Sequence, residues 1–156
     1  VPSNDSPEVN PSLSRPSSRY LRMILRFLSG FYGGMKSLSS GFYLTWGMNY
    51  ARWGQPVKAF YYLNRAAKLN TKSANIFYQR GLLLIAMGQI ESAVIDFNTA
   101  IEYDPNHMEA YLNRSMMHAL AGRSEEARND VGKAVALGAD RPSLESRITE
   151  LQDQAE

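Results

Sequence analysis

From Arg19 onward, apolar and polar positions follow the period of an α-helix. At about 100° per residue, Arg19, Arg22, Arg26 and Ser29 fall on one face and Ile24, Leu25, Phe27, Leu28 and Phe31 on the opposite one. This predicts a basic amphipathic helix. Glycine accepts the left-handed backbone that closes helices, so Gly30 or Gly33-Gly34 is expected to end it. The remainder of residues 19–39 then reads as a Gly/Ser linker. Residues 1–18 carry four of the seven prolines and many serines. Such a stretch buries too little apolar surface to offset its ordering entropy, and a flexible tail is expected there.

Beyond the linker, the helical pattern repeats. A shift of 34 residues superposes Gly47, Gly81 and Ser115; Gly54, Gly88 and Gly122; Ala59, Ala93 and Ala127; and Ala66, Ala100 and Ala134. Bulky residues recur in the same register at Tyr43, Phe77 and Tyr111 and at Leu63, Phe97 and Val131. Small residues fit where helix backbones approach closely, and large ones fill the gap between neighbouring pairs. Each period therefore reads as two antiparallel helices, expected near 40–53 and 56–69, 74–87 and 90–103, and 108–121 and 124–137. Asn106 and Glu109 have the spacing of a capping box before the fifth of these helices. Asp140 and Pro142 suit the start of a last, polar-faced helix carrying Leu144, Ile148 and Leu151.

These columns resemble the tetratricopeptide repeat (TPR) family. The clearest unit is Ala74 to Pro105, with Phe77, Gly81, Gly88, Ala93, Phe97, Ala100 and the closing Asp104-Pro105. The first unit has Thr71 where the closing proline would stand. The third has Ser115, Val131 and Ala139 in place of the helix-contact glycine, the aromatic and the proline. The resemblance implies an all-α solenoid of three units, at about 40–73, 74–107 and 108–139. The amphipathic helix precedes it, and a capping helix within 140–156 follows.

Composition adds a polarity that the net charge of +2 conceals. Between Val9 and Ile90 stand 11 Lys/Arg and no Asp or Glu, whereas residues 91–156 hold 6 Lys/Arg against 13 Asp/Glu. A basic half of this kind suits an anionic partner. The chain has no cysteine, which removes disulfides and thiolate chemistry. It begins at Val1, as a processed protein or a fragment of a longer one would. Met23 to Met35 is short and holds Arg26, whereas a spanning helix needs about 20 apolar residues.

No catalytic constellation emerges. His107 and His118 fall on different elements, and Ser29 to Gly34 (SGFYGG) lacks the Lys-Ser/Thr of a phosphate loop. A non-enzymatic chain without cofactor, metal or small-molecule substrate is expected. In the family, the first helix of each pair lines a concave groove, so the resemblance projects Leu44, Met48, Tyr78, Leu82, Ile85, Leu112, Met116 and Leu120 onto it. That face is apolar and suits either a helix or hydrophobic peptide of a protein partner or the chain's own amphipathic helix at 19–32. A chaperone-binding subclass grips a peptide carboxylate with Lys, Asn and Arg side chains. At the matching places this chain has Leu44, Met48, Gln79, Glu109 and Asn113, so a chaperone-tail adaptor is not expected.

The second candidate surface is cationic: Arg19, Arg22, Arg26, Lys36, Lys58 and Arg65, set among Phe42, Tyr43, Trp46, Tyr50, Trp53, Phe60, Tyr61 and Tyr62. Mixed aromatic and basic side chains suit an anionic membrane surface or an acidic protein, reached through residues 15–72. Nucleic acid is disfavoured, because no RNA-binding motif is present and the acidic half repels phosphate. The expected function is a TPR scaffold or assembly factor of a larger, membrane-associated complex. The alternative is a permanent structural subunit of such a complex.

Overall fold

The computed structural model describes residues 18–153, which form seven α-helices and no strand. They are α1 (Ser18–Arg52), α2 (Pro56–Leu69), α3 (Ala74–Ala86), α4 (Ile90–Tyr103), α5 (Met108–Leu120), α6 (Ser124–Ala136) and α7 (Arg141–Asp153). Two compact units divide the chain, Val1–Met35 and Lys36–Glu156. The repeats belong to the second. The expected tail lies outside the described residues except for Ser18, which is already helical.

The expected break before the first repeat is absent. α1 runs unbroken through Gly30, Gly33, Gly34 and Gly41, and the anticipated linker is helical. A glycine inside a helix costs about 1 kcal/mol relative to alanine, which weakens a helix without ending it. No proline interrupts the segment, and proline is the residue that removes a backbone donor. α2 to α6 fall where the 34-residue register places them.

Within each repeat, the turn between the two helices is made by glycine in the left-handed region: Gly54 at φ +67°, Gly88 at +73° and Gly122 at +72°. A side chain is strained there, whereas glycine is not. The residue after each glycine donates its N–H across the turn, Gln55 to Tyr50 O, Gln89 to Leu84 O and Arg123 to His118 O, at 2.8–2.9 Å. These bonds satisfy carbonyls left open at the helix end. Between repeats, Asn70 Oδ1 accepts from Lys72 N–H and Asp104 Oδ1 from Asn106 N–H, side-chain turns 34 residues apart. After the third repeat, Gly138 at φ +108° occupies that place.

Two start signals have different outcomes. Asp140 Oδ2 accepts from Ser143 N–H at 3.1 Å and from the Ser143 hydroxyl, capping α7. The box between Asn106 and Glu109 does not form: His107 is the N-cap of α5, without a side-chain capping bond. Asn106 is held one residue upstream in the turn closed by Asp104, out of register for the cap.

The core follows the small and large columns. Leu63, Phe97 and Val131 are buried, as are Ala59, Ala93 and Ala127 on the same helices. α7 buries Leu144 and Ile148 against Tyr111, Val131 and Ala134, covering the last repeat.

Candidate functional site

Each repeat boundary carries a polar joint. Arg80 on α3 donates from Nε and Nη2 to both carboxylate oxygens of Asp96 on α4, at 2.7 Å each, and from Nη1 to Asn64 Oδ1 on α2 at 2.6 Å. Thirty-four residues on, Arg114 repeats the arrangement with Asp130 at 2.6–2.7 Å and Asn98 at 2.6 Å. One guanidinium thus ties its own helix pair to the preceding one through paired, charge-assisted bonds. Sequence reading missed these residues, although the same 34-residue shift superposes Arg80 on Arg114, Asp96 on Asp130 and Asn64 on Asn98. In the first repeat, the Arg and Asp places hold Trp46 and Tyr62, whose rings stack at 6.3 Å.

Behind the second joint, His118 Nδ1 accepts from Arg123 Nε at 2.9 Å, and Arg123 Nη1 reaches Glu91 on α4 at 3.1 Å. The His118 imidazole is held below its ordinary pKa, first by desolvation and then by the Arg123 and Arg114 cations, against Asp130. It is neutral at pH 7 and accepts a hydrogen bond.

The residues projected onto the groove are mostly half-buried. Leu44 packs with Ala59, Leu63, Ala66 and Ile76, while Tyr78, Leu82, Ile85 and Met116 pack against the cluster around Phe97. Leu112 and Met116 join the cluster around Val131. Tyr78 accepts from Asn113 Nδ2 at 3.4 Å and lies 4.6 Å from the His107 ring, linking α3 to α5. Its hydroxyl is raised above the usual tyrosine value by burial and then by Glu109. Leu120 is exposed. Met48 and Leu82 come together in an open cavity of about 420 Å³, whose other lining includes Ala51, Arg52, Pro56 and Gln79. The cavity is apolar with one cation, Arg52, at the end of α1.

The cationic candidates separate. Lys58 Nζ lies 5.4 Å from the centre of the Tyr50 ring, and Arg65 Cζ 5.7 Å from that of Tyr43, so both border the aromatic cluster. That cluster holds Tyr43, Trp46, Tyr50 and Tyr62 in mutual ring contact at 5.1–6.3 Å, with Phe42 and Trp53 at its edges. Desolvation, followed by Tyr50, raises the Tyr62 hydroxyl above its ordinary value. Arg22 and Arg26 are exposed on α1 in the other unit. The side chains of Arg19 and Lys36 lie outside those described. No helix among the described residues is long and apolar enough to cross a membrane.

Two tetratricopeptide repeat models match residues 74–107 and 97–129. A solved structure, the first TPR of Spaghetti (RPAP3) bound to HSP90 peptide SRMEEVD, superposes with a TM-score of 0.69 at 15% identity, covering 76% of this chain and 94% of that one. The chain is a tetratricopeptide repeat protein. That solved TPR holds a peptide of another protein. This TPR chain is 34% identical over 68 residues to the uncharacterised protein MJ0572 of Methanocaldococcus jannaschii, covering 44% of this chain and 79% of the relative. It is 29% identical over 83 residues to the DnaJ homolog subfamily C member 7 homolog of Dictyostelium discoideum, covering 53% of this chain and 15% of that protein.

Proposed function

We propose that this TPR chain is a non-enzymatic scaffold or assembly factor that binds a protein partner in its concave groove within a larger complex. The observation that carries the reading is the apolar cavity between the first helices of repeats one and two, lined by Met48 and Leu82. Its character argues against a carboxylate clamp: at the places that would need cations and amides stand Leu44 and Met48. An apolar helix or peptide, with a carboxylate near Arg52, matches the lining. Titration with the HSP90 peptide SRMEEVD is expected to give no saturable binding. Affinity capture with the full chain is expected to retain a partner that Met48→Glu loses at unchanged helix content. Saturable binding of SRMEEVD, or capture indifferent to Met48→Glu, would overturn the reading.

A second reading, peripheral attachment to an anionic membrane, draws on Met23, which is exposed on α1 between Arg22 and Arg26. An apolar side chain among cations suits a lipid interface. Sedimentation with phosphatidylserine vesicles, reversed by salt, is the expected result. Vesicles that leave the chain in solution at low salt exclude it.

A further inference from the structure

Phe42 and Trp46 stand on a side of the first repeat that the other two repeats bury. In the 34-residue register, Phe42 corresponds to Ile76 and Ala110, which are 2% and 0% exposed, whereas Phe42 is 58% exposed. Ile76 packs on Ala66 and Ala67 of α2, and Ala110 packs with Ala100 of α4. In each case the covering element is the second helix of the preceding repeat. Trp46 corresponds to Arg80 and Arg114, which reach the same helices through Asn64 and Asn98. For the first repeat, the equivalent covering segment is residues 22–35, and those residues are part of α1 itself.

We propose that this face is an open repeat-stacking joint that receives an acidic α-helix of a partner protein, seated as the second helix of a preceding repeat would be. The proposal extends the scaffold reading to a second surface and does not depend on the groove. Continuity with the two inner joints sets the geometry, and charge sets the partner's chemistry. Lys58 and Arg65 border the rings, and no Asp or Glu occurs between Val9 and Ile90. Pairing with the same face of a second copy would oppose cations to cations. The replacement of Arg and Asp by Trp46 and Tyr62 also removes the buried charges, leaving ring faces that accept a helix without a fixed polar register.

The chain reports on this face itself, because its two tryptophans are Trp46 and Trp53. A suitable probe is a peptide of the chain's own Ile90–Tyr103 sequence, IESAVIDFNTAIEY, stapled as a helix on its outer side. It is a second-helix segment with three acids, no base and no tryptophan. Titrated into the full chain, it is expected to change tryptophan emission saturably below about 1 mM. A version with Glu91, Asp96 and Glu102 replaced by lysine is expected to bind about tenfold more weakly or worse. Phe42→Ala should abolish the change at unaltered circular dichroism, and Met48→Glu should leave it intact, which separates this face from the groove. Any of four results overturns the proposal: no saturable change, equal binding of the two peptides, indifference to Phe42→Ala, or loss with Met48→Glu. A concentration-dependent dimer that buries the tryptophans, or phosphatidylserine vesicles that shift them when the peptide does not, would assign the face to another occupant and equally overturn it.

Discussion

At the crossing inside each repeat, side-chain volume on one helix is matched by its lack on the other. A Cβ on Gly47 would come within 2.7 Å of Leu63 Cγ, and one on Gly81 within 2.7 Å of Phe97 Cε1. In the third repeat the second-helix residue is Val131, which is smaller, and Ser115 fits with its hydroxyl bonded to Leu112 O at 2.8 Å. Gly81→Ala should therefore destabilise the fold by about 1–3 kcal/mol in urea denaturation, because the ring it would press on, Phe97, is fully buried. The change at the third crossing, Ser115→Ala, adds no volume and should cost less. The matched columns were legible in the sequence because glycine, alanine and aromatics recur as types. Of the third unit's three departures from the family, Ser115 and Val131 occupy the two columns that meet at Gly47–Leu63 and Gly81–Phe97, so they read as one compensated change. Arg80, Asp96 and Asn64 escaped the same reading because charged residues at helical spacing are usually solvated. Only packing reveals that Asp96 and Asp130 are buried.

At the scale of elements, helix ends decided what could be read. The left-handed glycines recur every 34 residues, and each of the three marks the turn that its spacing predicts. The glycines of α1 carry the same residue name without the same role, since a helix interior tolerates them and no turn follows. The end of the solenoid rests on Asp140. Its carboxyl lies below the usual aspartate range, through the Ser143 hydroxyl bond first and the Ser143 N–H bond second. A carboxylate whose pKa falls on folding stabilises the fold above its unfolded value, about 3.9, and loses that contribution as pH falls through the lower folded value. Hydrogen exchange should show α7 amides losing protection first in acid. Asp140→Ala should produce the same fraying at neutral pH while leaving α3 and α4 protected.

Across the whole molecule, cohesion depends on joints between neighbours. Arg114 binds Asp130 and Asn98 and so couples the third repeat to the second. Arg114→Met would leave Asp130 buried without its cation, a loss of about 3 kcal/mol or more. Urea unfolding followed by exchange should then show α5, α6 and α7 opening before α3 and α4, whereas the native chain should unfold with a single transition. The two inner joints also share one chemistry, Arg to Asp within a repeat and Arg to Asn across the boundary, at the same 34-residue offsets. Excising residues 74–107 as a block would bring Arg114 opposite Asn64, and duplicating the block would bring each new arginine opposite an asparagine. The two boundaries carry the same coupling, so removing or adding a whole unit preserves the arginine–asparagine tie from one repeat to the next.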